Sequence, residues 1–498
     1  MNVNPITRLD YPDLDVIRVE DTYYMVSTTM HFMPGCEILQ SFDLVHWEHV
    51  TYVYETLDHT DAQQLKSGQN IYGQGMWAAS LRYHEDRFYI CFVANDTRKT
   101  YLYTSEKIDG PWKKQLIEGF YHDGSLLFDE DGRNYIVYGN DEIWITELNE
   151  DLTAPKKDGL HRLLVSDHKN PELGYEGSHI QKINGYYYIF LVHSLRDRWM
   201  RTEACFYSDS LEGEFTGGDV LCDDRGYCGQ GVAQGGIVDT PDGKWYAMLF
   251  QDSGAVGRIP ILLPVTWKDH FPFFGQNGHV PEEIEVHSTR PGYIYQPLVG
   301  SDDFCNGLLP RWQFNHDPDP RYYHLDALQG TYTITTREVC TELTQAVNTL
   351  TQRMSYPSCA AEVTVDASAL KEGDVAGLCA LQSCYAAVGI TKHHGKYEVL
   401  MLDKKEDGIL DMTEGTVVES HQMDFRLEAD FCNMKDEARC YYRVNKGDWL
   451  PIGNVHKLYF KLDHFTGCRF GLFCYAAEET GGSACFRDFK YYDVDEIS

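Results

Sequence analysis

Through roughly the first half of the chain, apolar and polar positions alternate in short runs, and one pattern returns five times: a polar residue, a small or apolar run, a tight turn, then an aromatic strand. The copies run from Asp13 to Tyr23-Tyr24, Ala78 to Phe88-Tyr89, Asp123 to Tyr135, Glu176 to Tyr186-Tyr187, and Gln234 to Trp245-Tyr246. Turn residues such as Asn184-Gly185 and Asp242-Gly243 sit between the two halves of a copy and supply the backbone freedom that short hairpins need. Repeated antiparallel meanders of this length predict blades arranged around an axis, here a five-bladed β-propeller. Equivalent positions of successive blades then face one central channel. Asp13, Ala78, Asp123, Glu176 and Gln234 are therefore expected to meet at its mouth. Gathering three carboxylates raises the free energy unless the charges are used.

The repeat does not continue past Phe271–Gly278, and turn residues become frequent from about Pro281. From Asp302 the text changes to short alternating runs such as Ala360–Asp366, Tyr397–Asp403 and Cys468–Tyr475, which predict an antiparallel sandwich. The expected class is all-β, with a propeller over 1–290, a linker over 291–301 and a sandwich over 302–498.

Aromatic residues make up 13% of the chain, enough to fill inter-blade cores and still stack on sugar faces. The formal net charge of −33 is spread along the sequence, so a polyanion such as nucleic acid would be repelled and a neutral substrate is favoured. Neither a basic-then-apolar leader nor an apolar run near the roughly 20 residues of a membrane span is read in the sequence, so no membrane partner is expected. Fifteen cysteines without a CxxC pair suggest reduced thiols and a cytoplasmic location. A homo-oligomer stays open.

Hydrolysis of a glycosidic bond needs an acid for the leaving oxygen and a base for water, and two carboxyl groups in different surroundings supply both. Asp13, fixed by Pro12, is the candidate base, and Glu176, beside Tyr175 and Gly177, the candidate acid. Asp123 is the charged neighbour that would set the protonation and orientation of Glu176. Trp77 offers an indole platform or core packing. Arg258, after Gly257, would hold sugar hydroxyls or a carboxylate, with a surface ion pair as the alternative. His393-His394 lacks further ligands at metal-site spacing, and the turn Asp129–Gly132 lacks the ligand pattern of a calcium loop, so no metal is assigned.

These residues resemble the motifs of glycoside hydrolase family 43, the β-xylosidases and α-L-arabinofuranosidases. Asn4-Pro5-Ile6 and Tyr11–Asp15 are similar to the family's opening, Trp77-Ala78-Ala79 to its Trp-Ala-Pro segment, Asp123-Gly124-Ser125 to its second aspartate motif, and Glu176–His179 to its glutamate motif. Ser41–Trp47 resembles a blade-one strand ending, and Gly257-Arg258 a turn whose arginine contacts sugar. The resemblance implies a general base at Asp13, a pKa modulator at Asp123 and a general acid at Glu176. It further implies inverting chemistry, with Asp302–Phe304 and Leu309–His316 opening a concanavalin-like jelly roll of the kind that in some members closes one side of the pocket and favours attack from a chain end. Gln234 stands where many relatives carry an axial histidine linked to calcium, so a calcium ion is not expected and no cofactor is required. His31 and Phe32 are candidate wall residues, with local packing the alternative. The expected function is exo-acting release of xylose or L-arabinofuranose from xylan- or arabinan-derived oligosaccharides. The rivals are a noncatalytic sugar-binding propeller and a retaining five-bladed fructosidase-type hydrolase.

Overall fold

The computed structural model describes residues 3–493. Its propeller has five four-stranded antiparallel blades in simple meander order. The innermost hairpins are Asp15–Val19 with Thr22–Ser27, Met76–His84 with Arg87–Ala94, Ser125–Phe128 with Asn134–Asn140, Glu176–Ile183 with Tyr186–Ser194, and Val232–Asp239 with Trp245–Asp252. Each coincides with one copy of the sequence repeat. Asn184 and Gly185 both take left-handed angles, φ 51 and 84, as the two-residue hairpin turn demands. Apolar faces interlock between neighbouring blades, with Val26 and Ile38 of the first blade packed with Leu81 and Ile90 of the second. Among the described residues helix is confined to four short 3₁₀ turns, so none is long and apolar enough to cross a membrane.

The second half is a sandwich of a nine-stranded and a seven-stranded sheet. Alternation along the strands turns Val363, Val365, Phe425 and Leu427 of one sheet toward Leu378, Val388, Phe470 and Leu472 of the other, and these form the largest core. All fifteen cysteines are free thiols, most of them buried.

The two halves share backbone. Phe32–Met33, from the propeller, pairs antiparallel with Gln313–Asn315 and forms the edge of the nine-stranded sheet. Beside that seam Arg353 of the sandwich reaches Glu37 of the first blade at 2.8 Å, both side chains buried. Its Nε donates to the Asp10 carbonyl at 2.9 Å, and its guanidinium lies 4.1 Å over the Tyr11 ring. Asp10 then joins both halves: its Oδ1 accepts from the Arg258 amide and its Oδ2 from the Gly467 amide, each at 2.7 Å.

The seam corrects two sequence expectations. Phe32 is not a pocket wall; it is 1% exposed, packs in a sandwich-side core, and carries the Arg469 guanidinium 3.5 Å over its ring. His31 is wholly buried too, within 4.8 Å of the rings of Phe32, Tyr72 and His316, and burial pulls its pKa well below the usual value. Strand pairing with a segment some 280 positions away drew both residues inward.

Candidate active site

The site lies at one end of the propeller axis, where local backbone irregularities aim side chains into the channel. In blades two, four and five the inner strand bulges, between Trp77 and Ser80, Glu176 and His179, and Ala233 and Gly236. A bulge inserts an extra residue and re-aims its neighbours. In blades one and three the equivalent residues, Asp13 and Asp123, precede the strand in left-handed conformation, φ 50 and 47, and Gln234 shares it at φ 64. Such strain in non-glycine residues collects where function needs a particular direction.

Asp13 is buried and held by three donors. Arg258 Nη1 donates to Oδ1 at 2.9 Å, Gln234 Nε2 to Oδ1 at 3.1 Å, and Thr28 Oγ1 to Oδ2 at 2.8 Å. An ionised carboxylate offers about four acceptor sites, so capacity remains for a water. Arg258 itself is 1% exposed, and so is neither a surface ion pair nor free to swing.

Asp123 and Glu176 meet around His122. The His122 Nε2 lies 3.6 Å from Asp123 Oδ2 and 3.5 Å from Glu176 Oε2, close enough for charge but long for a hydrogen bond. Glu176 Oε2 also accepts from Asn140 Nδ2 at 2.7 Å. The Gly177 amide donates to Asp123 Oδ2 at 3.0 Å. Only glycine fits there: φ is 66, and a Cβ would stand 2.8 Å from Gln234 Cγ.

Burial raises the Asp123 carboxyl to about 6; His122 opposes this, while the negative charges of Glu176 and Asp13 add to it. Chiefly through Asp123, and against the cost of burial, His122 is raised to about 9. This cation thus sits between two acids, Asp123 and Glu176, with the more distant charge of Asp13 adding to its hold. A histidine raised from 6.5 gives stability that is complete below 6.5 and disappears as pH rises through about 9. Wild-type unfolding free energy is therefore expected to fall by on the order of 3 kcal/mol across that window, and His122→Asn to lack the fall. Chemical denaturation at a series of pH values reads this, and parallel curves for the two proteins would show that folding does not raise the His122 pKa.

The donor atoms of His122, Asp123 and Glu176 all lie within 4.8 Å of one another, a spacing a metal ion could use. A cation seated there would compete with any proton on Glu176.

Further along the inner strands lies a buried polar network. Asp15 accepts from Arg82 Nη1 at 2.7 Å and faces His179 Nδ1 at 3.1 Å; burial alone would raise its carboxyl, but Arg82 and His179 bring it down to about 2. Arg82 Nη2 also donates to Ser125 Oγ at 2.7 Å. The axis therefore holds the histidine of the Glu176 motif, from blade four, and Gln234 of blade five turns to Asp13.

The rim is aromatic. Half-buried Trp77 stands 6.1 Å from the His122 ring and 5.5 Å from Phe465, which comes from the sandwich and lies 4.2 Å under the Arg258 guanidinium. The sandwich segment is set by Gly73, where a Cβ would meet the Leu462 carbonyl at 2.6 Å. Across the site Arg201 is buried, its Nε donating to Asp252 Oδ2 at 2.9 Å.

Of the residues singled out from sequence, Asp13, Asp123, Glu176, Gln234, Arg258 and Trp77 converge, and His31 and Phe32 do not. His122, Asn140, Thr28, Arg201 and Phe465 were not singled out. Only His122, adjacent to Asp123, offered a local signal.

Comparisons with known proteins give the same picture. Residues 3–272 match the family model "Glycosyl hydrolases family 43", and residues 301–492 match "Beta xylosidase C-terminal Concanavalin A-like domain". A beta-xylosidase of Formosa agariphila is 26% identical over 99% of this chain and 89% of its own. A xylosidase/arabinosidase 43B of Humicola insolens is 25% identical over 98% and 96%. A solved structure described as a bifunctional GH43-CE of Bacteroides eggerthii superposes with TM-score 0.92 at 42% identity, covering 98% of this chain, which spans 63% of that protein.

Proposed function

The chain belongs to glycosyl hydrolases family 43, and from that premise we propose that it is an exo-acting, inverting enzyme releasing terminal xylose or L-arabinofuranose from xylan- or arabinan-derived oligosaccharides in the cytoplasm. The observation that carries the reading is the meeting of Asp13, Asp123 and Glu176 around one histidine and one arginine.

Each carboxylate has a different job because each has different partners. Asp13, gripped by Arg258, Gln234 and Thr28, is oriented to take a proton from water attacking the anomeric carbon. Glu176, with one oxygen on Asn140, has Oε1 without a hydrogen-bond partner among the described residues and directs its proton to the leaving oxygen. Asp123, buried behind the Gly177 amide, positions Glu176 through His122 and the backbone next to it, and does not react. Trp77 and Phe465 wall the terminal sugar on opposite sides of the domain seam, which favours attack from a chain end. A noncatalytic propeller would have no use for three acids held by this set of donors.

Relatives described as beta-xylosidase and as xylosidase/arabinosidase support both sugars. The test is a matched pair of substrates, an aryl β-xyloside and an aryl α-L-arabinofuranoside, each backed by an oligosaccharide with the same terminal sugar. Turnover of at least one pair is expected; hydrolysis of neither, alongside hydrolysis of a fructoside, would replace the proposal with its retaining rival.

A further inference from the structure

Trp199 stands at the channel mouth with no part in the proposed acid–base chemistry. It sits at the tip of the blade-four hairpin between Tyr186–Ser194 and Arg201–Ser208, closed by the Leu195 amide donating to the Met200 carbonyl at 3.1 Å. The tip is otherwise charged: Arg196 pairs with Asp167, and Arg198 lies 3.0 Å from Asp197. A tryptophan 44% exposed in such a tip contributes little to a core.

The tip lies on the channel-mouth side of the strand pair that carries Glu176. That residue opens the inner strand of the same blade and is paired with Val192, so the hairpin continues past it on the channel-mouth side. Arg201 lies below the indole, its Cζ 5.3 Å from the Trp199 ring centroid and 5.3 Å from that of Phe250. Its ion pair with Asp252 fixes the guanidinium, and its charge reaches both Glu176 and Asp13. A buried cation against one indole face orients the ring and leaves the other face to solvent. Preorganised, half-open aromatic surface beside a pocket for a neutral substrate suits the apolar face of a pyranose.

Position then decides which sugar. The proton from Glu176 goes to the oxygen of the departing group, so that group lies on the Glu176 side; the Trp199 hairpin grows from the strand paired with Glu176, whereas Phe465 adjoins Arg258, which holds Asp13. We infer that Trp199 is the stacking platform for the leaving-group sugar next to the scissile bond, so that the enzyme selects for the penultimate sugar as well as for the terminal one. The inference rests on the hydrolase reading of the pocket.

Binding tests it without turnover. Glu176→Gln protein, with Trp199 intact or replaced by Ala or Phe, is titrated by calorimetry with xylotriose, with an arabinofuranosyl-substituted xylotriose, and with xylose and arabinose alone. Trp199→Ala is expected to weaken the better-bound oligosaccharide about three- to tenfold, the range of an aromatic contact, to leave monosaccharide affinity in place, and to be largely rescued by Trp199→Phe. Equal weakening of monosaccharide and oligosaccharide, no weakening of either, or no oligosaccharide binding by the Trp199 protein overturns it. Oligosaccharide binding that depends on Trp199 in a wild-type chain that cleaves no glycoside would sink the hydrolase reading and with it the leaving-group role, leaving only a sugar-stacking residue.

Discussion

Glu176→Gln protein is expected to lose turnover of natural oligosaccharides by about a thousandfold or more while keeping activity on aryl glycosides with very good leaving groups within about tenfold of wild type. A sugar alkoxide cannot depart without a proton, whereas an activated phenolate can. Asp13→Asn should lose both activities alike, because water must be activated whatever leaves. The structure gives the two carboxylates separate partner sets, Asn140 and His122 for one, Arg258, Gln234 and Thr28 for the other, so neither can stand in for its neighbour. Steady-state kinetics on the two substrate classes separates the roles, and an equal loss on both for Glu176→Gln would remove it as the acid.

The second large effect is on stability. Arg353 and Glu37 form an ion pair buried across the seam between propeller and sandwich, and deleting one member strands the other charge. Arg353→Met is expected to destabilise the protein by about 3–5 kcal/mol, and the double variant with Glu37→Met by clearly less than the sum of the two single ones. Burial alone would raise the Glu37 carboxyl, yet Arg353 and His49 lower it to about 2. A depressed carboxyl contributes its stability above its unfolded value of 4.5 and loses it as pH falls toward 2, so the gap between wild type and the Arg353 variant should narrow on acidification. Denaturant unfolding at pH 7 and pH 3 measures this, and an additive double variant would show that the charges do not interact. Because Arg353 also holds the Asp10 carbonyl, and Asp10 grips the amides of Arg258 and Gly467, the same variant is expected to lose activity before it unfolds.

What could be read from the chain was whatever the repeat made local. Each copy became the inner hairpin of a blade, and the copies' leading positions placed Asp13, Asp123, Glu176 and Gln234 at one mouth. Ser41–Trp47 also kept its local logic: Asp43 Oδ1 accepts from the Val45 and His46 amides at 2.9 and 2.8 Å, and the Trp47 indole donates to Leu44, a turn that is structural. What escaped depends on contacts between distant segments. Phe465 belongs to no repeat and reaches the pocket only because the sandwich docks on the propeller. His31 and Phe32 come soon after the first motif, yet the pairing of Phe32–Met33 with Gln313–Asn315 turns them away from the pocket, and alternation within the first blade carries no trace of that partner. His122 was visible beside Asp123, but its value as the shared cation appears only once Glu176 is placed 3.5 Å away.

If Asp13 and Glu176 act from opposite sides of one glycosidic carbon, cleavage inverts that carbon. Proton NMR of the wild-type reaction, recorded before the released sugar equilibrates, is the most direct test. A first-formed anomer opposite in configuration to the bond cleaved is the predicted result, the outcome for which inverting enzymes in general keep their two carboxyl groups about 6.5–9.5 Å apart to admit a water. A first-formed anomer that keeps the configuration of the substrate would contradict it.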